Sequence, residues 1–336
     1  GTTGLRLNVA HAQPFSLGKN GARLGLLVAV NASTNENRFD DLRVLNQWPL
    51  KESPDTGEEV RLLARLRTGT RFIENDDRGF MLNGDLKLNR DQRFQFKALW
   101  NRSEQSQASE FHTFDFSSGR ILSLDSQEGS FDRMRLEKQF LDNAGEDESG
   151  SLVAGGEHRF GDWELEESVG YSFSDSTSGD DRNGTFRTDR SFEGGYDISQ
   201  RPEQPEVMLA RDGEALADDY FQDAGLYGFY RYDLRSSSAD DREWALRLNA
   251  ARNWESDHAK WVLKGGLKSR LRDASEDQDR DRYVPGADPF SLESVAGAGS
   301  LTVFDGAYPM GANWDEAAMR SFFLANPNAF AFDEDN

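Results

Sequence analysis

The chain has 336 residues, 60 of them acidic and 39 basic, and its formal charge of −21 disfavours nucleic acid as a partner, since phosphate backbones are met by basic patches. Apolar residues make up 36% of the chain, yet aromatics reach 11%, with 23 Phe and 7 Trp. Acidic disordered chains are poor in aromatics, so this composition describes a folded protein with much polar surface. There is no cysteine, which excludes disulfides and thiolate chemistry.

Period-two alternation recurs along the chain, the pattern of strands with one apolar and one polar face. Leu5, Leu7 and Val9 come first, then Ala22, Leu24, Leu26, Val28 and Val30. Leu62, Ala64 and Leu66 alternate with Arg61, Arg65 and Arg67; Phe80, Leu82 and Leu86 alternate with Asn83, Asp85 and Lys87. Phe94, Phe96, Ala98 and Trp100 follow, and then Leu152, Ala154 and Phe160. Trp163, Leu165, Val169, Tyr171 and Phe173 form the next run, with Glu167 as a charge at an apolar position. Trp244, Leu246 and Leu248 precede a last run with Trp261, Leu263 and Leu267. The longest apolar run, residues 24–30, is interrupted by Gly25 and is too short for a membrane helix. A membrane β-barrel remains open, because its segments alternate.

Short and long connections alternate. Residues 15–21, 89–92, 161–162 and 253–260 read as turns, whereas 34–59, 103–150, 174–242 and 272 onward read as long polar excursions. Tight turns on one side and long loops on the other describe an outer-membrane barrel better than a sandwich. Aromatics sit at both strand ends: Phe94, Phe160, Trp163, Trp254 and Trp261 near the turns, and Trp100, Tyr171, Phe173 and Trp244 at the far ends. The ten steps from Trp163 to Phe173, at about 3.3 Å each and tilted roughly 40°, span about 25 Å, the height of the apolar band between two aromatic girdles. In the last excursion, Asn313 as N-cap and Glu316 three residues on predict a short helix near 314–325, stopped by Asn326 and Pro327.

The segments GARLGLLVAVNASTNENRFDD, DRGFMLNGDLKLNRDQRFQFKALWNRSEQ, SLVAGGEHRFGDWELEESVGYSFSD, DDREWALRLNAARNW and WDEAAMRSFFLANPNAF resemble, in this order, the strand–turn–strand units of TonB-dependent outer-membrane receptors. The likeness is to the large proteobacterial kind. The resemblance implies an all-β fold: an antiparallel transmembrane barrel of which about eight strands lie here, with long extracellular loops. It implies a plug domain elsewhere, outer-membrane lipid around the barrel, and a TonB complex that drives uptake of a siderophore, glycan or similar nutrient. No plug, signal peptide or terminal aromatic strand is visible, so the chain reads as an internal window of a larger receptor. The expected role is transport, not catalysis, with no cofactor; a passive porin-like barrel and a secreted all-β binding domain are the alternatives.

Other patterns carry less. Residues 273–281 space carboxylates like a calcium loop, but Arg282 and Asp288 stand where that loop needs Gly and Glu. His11, His112, His158 and His258 form no metal-binding pair. Glu164 and Glu166 share a face, as wet polar residues of a lumen would. Tyr227, Phe229, Tyr230, Trp314 and Phe322 are the candidate ligand contacts, a small molecule or oligosaccharide stacking on exposed rings; packing of loop on loop is the competing explanation. The acidic loops disfavour a strongly anionic ligand. For Glu167, a β-bulge at Glu166 and Glu167 turning the side chain inward is the favoured expectation, with protonation or cover by another protein surface as the alternatives.

Overall fold

A computed structural model describes all residues except 1, 19–20, 46–47, 218–219, 257–258 and 335–336, with backbone alone for 2, 180, 221, 256 and 299–301. The fold is all-β. Eight long strands carry it: β1 (Thr2–Leu17), β2 (Ala22–Leu45), β3 (Arg65–Lys87), β4 (Gln92–Asp115), β5 (Glu128–Phe160), β6 (Trp163–Arg187), β7 (Gly228–Ser256) and β8 (Ala259–Pro285). They form one antiparallel meander in chain order, each strand beside its predecessor. Four connections are short and gather at one end, here the turn end; the long connections gather at the other, the loop end. Among the described residues no helix is long and apolar enough to cross a membrane, which says nothing about crossing by strands.

Much of what reads as long loop is strand. The excursion at 103–150 is largely the upper parts of β4 and β5, and the acidic run 273–281 lies within β8. Apolar alternation stops there, but pairing does not. Cross-strand polar contacts replace it: Ser103 donates to Asp77 at 2.7 Å, Gln105 to Asn75 at 2.7 Å and Arg102 to Glu146 at 2.8 Å. Periodicity records what a face touches, not whether the ladder continues. The turn expected at 253–260 is also tighter, since pairing extends to Ser256 opposite Ala259. Lys19 and Asn20 of the first turn, His258, and the last two residues lie outside the described set.

From β1 to β5 the register runs without a shift, so side-chain parity holds across five strands. One face therefore carries Val30, Phe80 and Trp100 in one row and, nearer the loop end, Val44, Leu66, Phe114 and Leu136 in another. At the loop end that face is covered. Leu66, Phe114, Leu136, Phe140 and Phe186 are buried under chain from the long connections. The cover includes two further strands, β9 (Ala296–Val303) and β10 (Tyr308–Trp314), and the helix α1 (Glu316–Ala325). A second layer, with Arg120–Leu124 and Phe192–Asp197 paired to β5, packs Phe116, Phe131 and Tyr196 ring against ring.

The helix begins two residues later than its sequence suggests. Asp315, not Asn313, is the N-cap, and its Oδ1 accepts from the Ala318 amide at 2.8 Å. Trp314 thus ends β10 and lies flat against β6. A Cβ on Gly184 would overlap the Trp314 ring, so only glycine permits this approach. Gly184→Ala is expected to cost about 1–3 kcal/mol through overpacking. Hydrogen exchange should report it as lost protection across 308–326 with the β3–β5 ladder unchanged.

Candidate functional site

Toward the turn end the same face is uncovered. Leu7, Val30, Phe80, Leu152, Val169, Leu246, Leu263 and Leu267 are exposed on it, so an open apolar band crosses all eight strands. Its edges are aromatic. Phe160, Trp163, Trp254 and Trp261 lie in the rows nearest the turns, with Trp254 stacked on Trp261. Trp100 and Phe173 share a row at the far edge, flanking Gly150, and one row below Tyr171 meets Trp244 at 4.8 Å. Beyond that edge the face becomes charged, as Arg78, Arg102, Glu148 and Asp175 follow in register. Trp100 Nε1 reaches over this boundary to donate to Glu148 at 2.7 Å. Phe94 lies deeper in the band than the girdle rows, in the row of Gly156 and Glu167.

Glu167 lies on the apolar face in regular strand geometry. Its pairings with Gly156 and with Leu248 show no shift, so the expected bulge is not there; the register shift of β6 lies far above, opposite Asp142 and Ala144. The carboxylate is tolerated because His158 stands beside it on the same face. His158 Nε2 and Glu167 Oε1 are 2.7 Å apart, and the Phe94 ring meets the imidazole edge-on at 5.1 Å. A Cβ on Gly156 would collide with both partners, so this glycine makes the space in which they meet. A hydrogen-bond partner at this distance lowers the cost of a polar group on an apolar surface. Sequence reading missed His158 because its strand partner, not its neighbours, gives it meaning.

The proposed ligand-contact rings lie near one another at the loop end, mostly inside the packing. Tyr227, Phe229 and Trp314 are buried, and Phe322 is half-buried against Phe290 at 4.5 Å. Phe229 and Trp314 both pack on Phe186. Tyr230 alone is exposed, at 41%, with the Arg187 guanidinium 3.5 Å from its ring centre. Beneath β10 sits a polar cluster. Lys138 is buried, donates from Nζ to the Met310 and Ala312 carbonyls at 2.6 and 3.0 Å, and lies 4.9 Å from the Tyr227 ring. Tyr227 Oη is 3.1 Å from His112 Nε2. Burial raises Glu110 to about 7, against the hydrogen bond from Asn313 and the charges of Lys138 and Arg38. Burial lowers Lys138 to about 8, against the pull of Glu110.

The opposite face is mostly polar, with scattered apolar residues such as Phe39, Leu99, Phe111 and Val153. Near the turns, Glu164 pairs with Arg159 at 3.4 Å and Glu166 accepts from Asn249 at 3.1 Å. Toward the loop end it becomes rich in arginine. Arg43 stands beside Arg67, Asp115 lies between Arg65 and Arg135, and Glu137 is beside Arg187. Arg65 is 3.6 Å from Asp115 and 3.5 Å from Glu137, while Arg187 Nε donates to Glu137 at 2.6 Å. Asp41 receives Arg43 at 2.7 Å and Arg71 at 3.0 Å. Farther along, Asp233 is surrounded by Arg231, Arg280 and Arg282 at 3.1, 3.3 and 2.8 Å. Among the described residues no group of His, Asp or Glu is placed to hold a metal ion.

Compared with protein-family models, with curated proteins and with solved structures, the chain matches none.

Two outcomes follow from these groups. His158→Ala strands the Glu167 carboxylate and is expected to cost about 1–3 kcal/mol, whereas His158→Leu with Glu167→Leu recovers most of it; denaturant titration of the three variants checks this. For Glu110, whose value is raised from 4.5, the stabilising contribution is complete below 4.5 and lost as pH rises through about 7. For Lys138, lowered from 10.5, the contribution is complete above 10.5 and lost as pH falls through about 8. The seating of β10 should therefore be weakest between those two values. Protection factors of residues 308–314 across pH will show that minimum, and Glu110→Gln will remove its acid-side slope only.

Proposed function

We propose that this chain is part of an outer-membrane receptor barrel of the TonB-dependent kind, which captures a nutrient at its loop end for energised uptake. The observation that carries the reading is the uncovered apolar band. It crosses eight strands on one face, is edged by aromatics at both ends and gives way to charge beyond the upper edge. A water-facing sheet would bury such a surface, and one this broad calls for a nonaqueous neighbour. Lipid fits its height, its aromatic borders and the pairing of its one carboxylate, Glu167, with His158. In this reading the apolar face looks outward, the arginine-bearing face looks into the lumen, and the turn end is periplasmic. The outer edges of β1 and most of β8 have no described strand beside them, so further strands would complete the barrel. The buried loop-end cluster becomes the extracellular rim that shapes the ligand entrance.

Refolding into vesicles tests it. Lipids brominated near the headgroup should quench Trp163, Trp244, Trp254 and Trp261 strongly, and chain-end bromines should quench them less. A protein that stays soluble without detergent, with its tryptophans unquenched by either lipid, would be a secreted all-β domain and would end the membrane reading.

A further inference from the structure

In a chain of net charge −21, one part of the polar face carries the opposite sign. Across β2 to β6 at the loop end, six arginines (Arg43, Arg65, Arg67, Arg71, Arg135 and Arg187) face three carboxylates, Asp41, Asp115 and Glu137. Six positive charges less three negative leave a surplus of three. The deficit is also one of acceptors. Among the described residues, the buried Nε–H groups of Arg65, Arg67, Arg71 and Arg135 make no hydrogen bond, Asp115 standing 3.6 Å from that of Arg65. A buried donor left unmet destabilises the fold, so a surface with four of them is short of anionic oxygen.

The guanidinium groups share three carboxylates, too few to neutralise all six, and aromatic rings help hold them in place. Phe111 stands among them on the same face, with Arg67 at 4.2 Å and Arg71 at 5.4 Å from its ring centre. Tyr230 lies against Arg187. Stacking on a ring fixes the plane of the fork yet leaves its outer N–H groups free to point at a ligand. Arg67 also feels its neighbours. Burial lowers its proton affinity, Asp41 opposes this, and Arg43, Arg71 and Arg65 lower it further. The side chains of Arg65, Arg67, Arg71 and Arg187 keep between 17% and 26% of their exposure, so the cluster is reachable from the open face.

We propose that this cluster binds a small polyanion, a molecule presenting several carboxylate or phosphate groups, with Arg65, Arg67, Arg71 and Arg135 as its main contacts. Each anionic group supplies acceptors for a planar fork of donors and relieves the repulsion among like charges. The overall acidity of the chain argues the other way, but repulsion from distant surface charges is screened beyond about 8–10 Å in physiological salt, and the local surplus governs contact. The role in nutrient capture rests on the receptor reading above; the binding itself rests only on these residues.

Calorimetry on the refolded full chain tests it, with citrate and inositol hexakisphosphate as probes and maltohexaose as a neutral control. Either anion should bind, more weakly as salt is raised, and the neutral sugar should not. The pair Arg67→Gln and Arg135→Gln should weaken binding about ten-fold or more, while Arg90→Gln at the turn end leaves it unchanged. Circular dichroism confirms that each variant keeps its strand content; single variants replace the pair if it does not. Preference for citrate or for the phosphate ester separates the two anion types. Absence of anion binding, or equal binding by the double variant, overturns the proposal. Vesicle insertion is scored on the same samples, so failed insertion with intact anion binding counts against the receptor reading alone.

Discussion

The structure depends on an antiparallel hydrogen-bond ladder that keeps its register from β1 through β5 without a shift. Side chains alternate with a period of two, so one slipped residue would move a whole strand's apolar set to the wrong face. An unbroken register over strands of 16 to 33 residues sorts the chain into two surfaces from end to end. Everything else here is a consequence of which surface a residue falls on. Phe80 and Leu66 share a face although one lies open and the other is sealed under the long connections.

Charge is distributed by the same rule. On the apolar face, carboxylates stay beyond the aromatic edge, and Glu167, the exception, is matched by His158 at a position cleared by Gly156. On the polar face, arginines concentrate toward the loop end and outnumber their local carboxylates. A chain can thus be strongly acidic overall and still present a cationic surface, because sheet register gathers residues that lie a hundred positions apart in sequence. Arg67 and Arg187 are brought into one row in this way through Thr113 and Glu137.

How far this was legible varies with the reach of each interaction. The antiparallel sheet, the eight strands and the division into short and long connections could be read from alternation and turn residues alone. Strand ends could not, because above the aromatic edge the upper halves of β4, β5 and β8 have polar residues on both faces and no period to read. The helix α1 starts two residues beyond its sequence signal, since Asn313 with Glu316 has the better cap pattern and β10 overrides it by claiming Trp314. Tyr227, Trp314 and Phe322 are conspicuous as residues, but whether a ring meets ligand or another loop depends on folding of the cover.

The sequence by itself determined the class of fold, the apolar band with its aromatic borders and the oddity of Glu167, because all three follow from nearest-neighbour alternation along one strand. Only the tertiary structure decided who answers Glu167, which rings are buried and where the arginines converge. Those are relations between strands, set by cross-strand register and by the return of the 286–333 segment over the sheet. No local pattern in a chain encodes the residue that will stand beside it across 4.8 Å or so of backbone spacing.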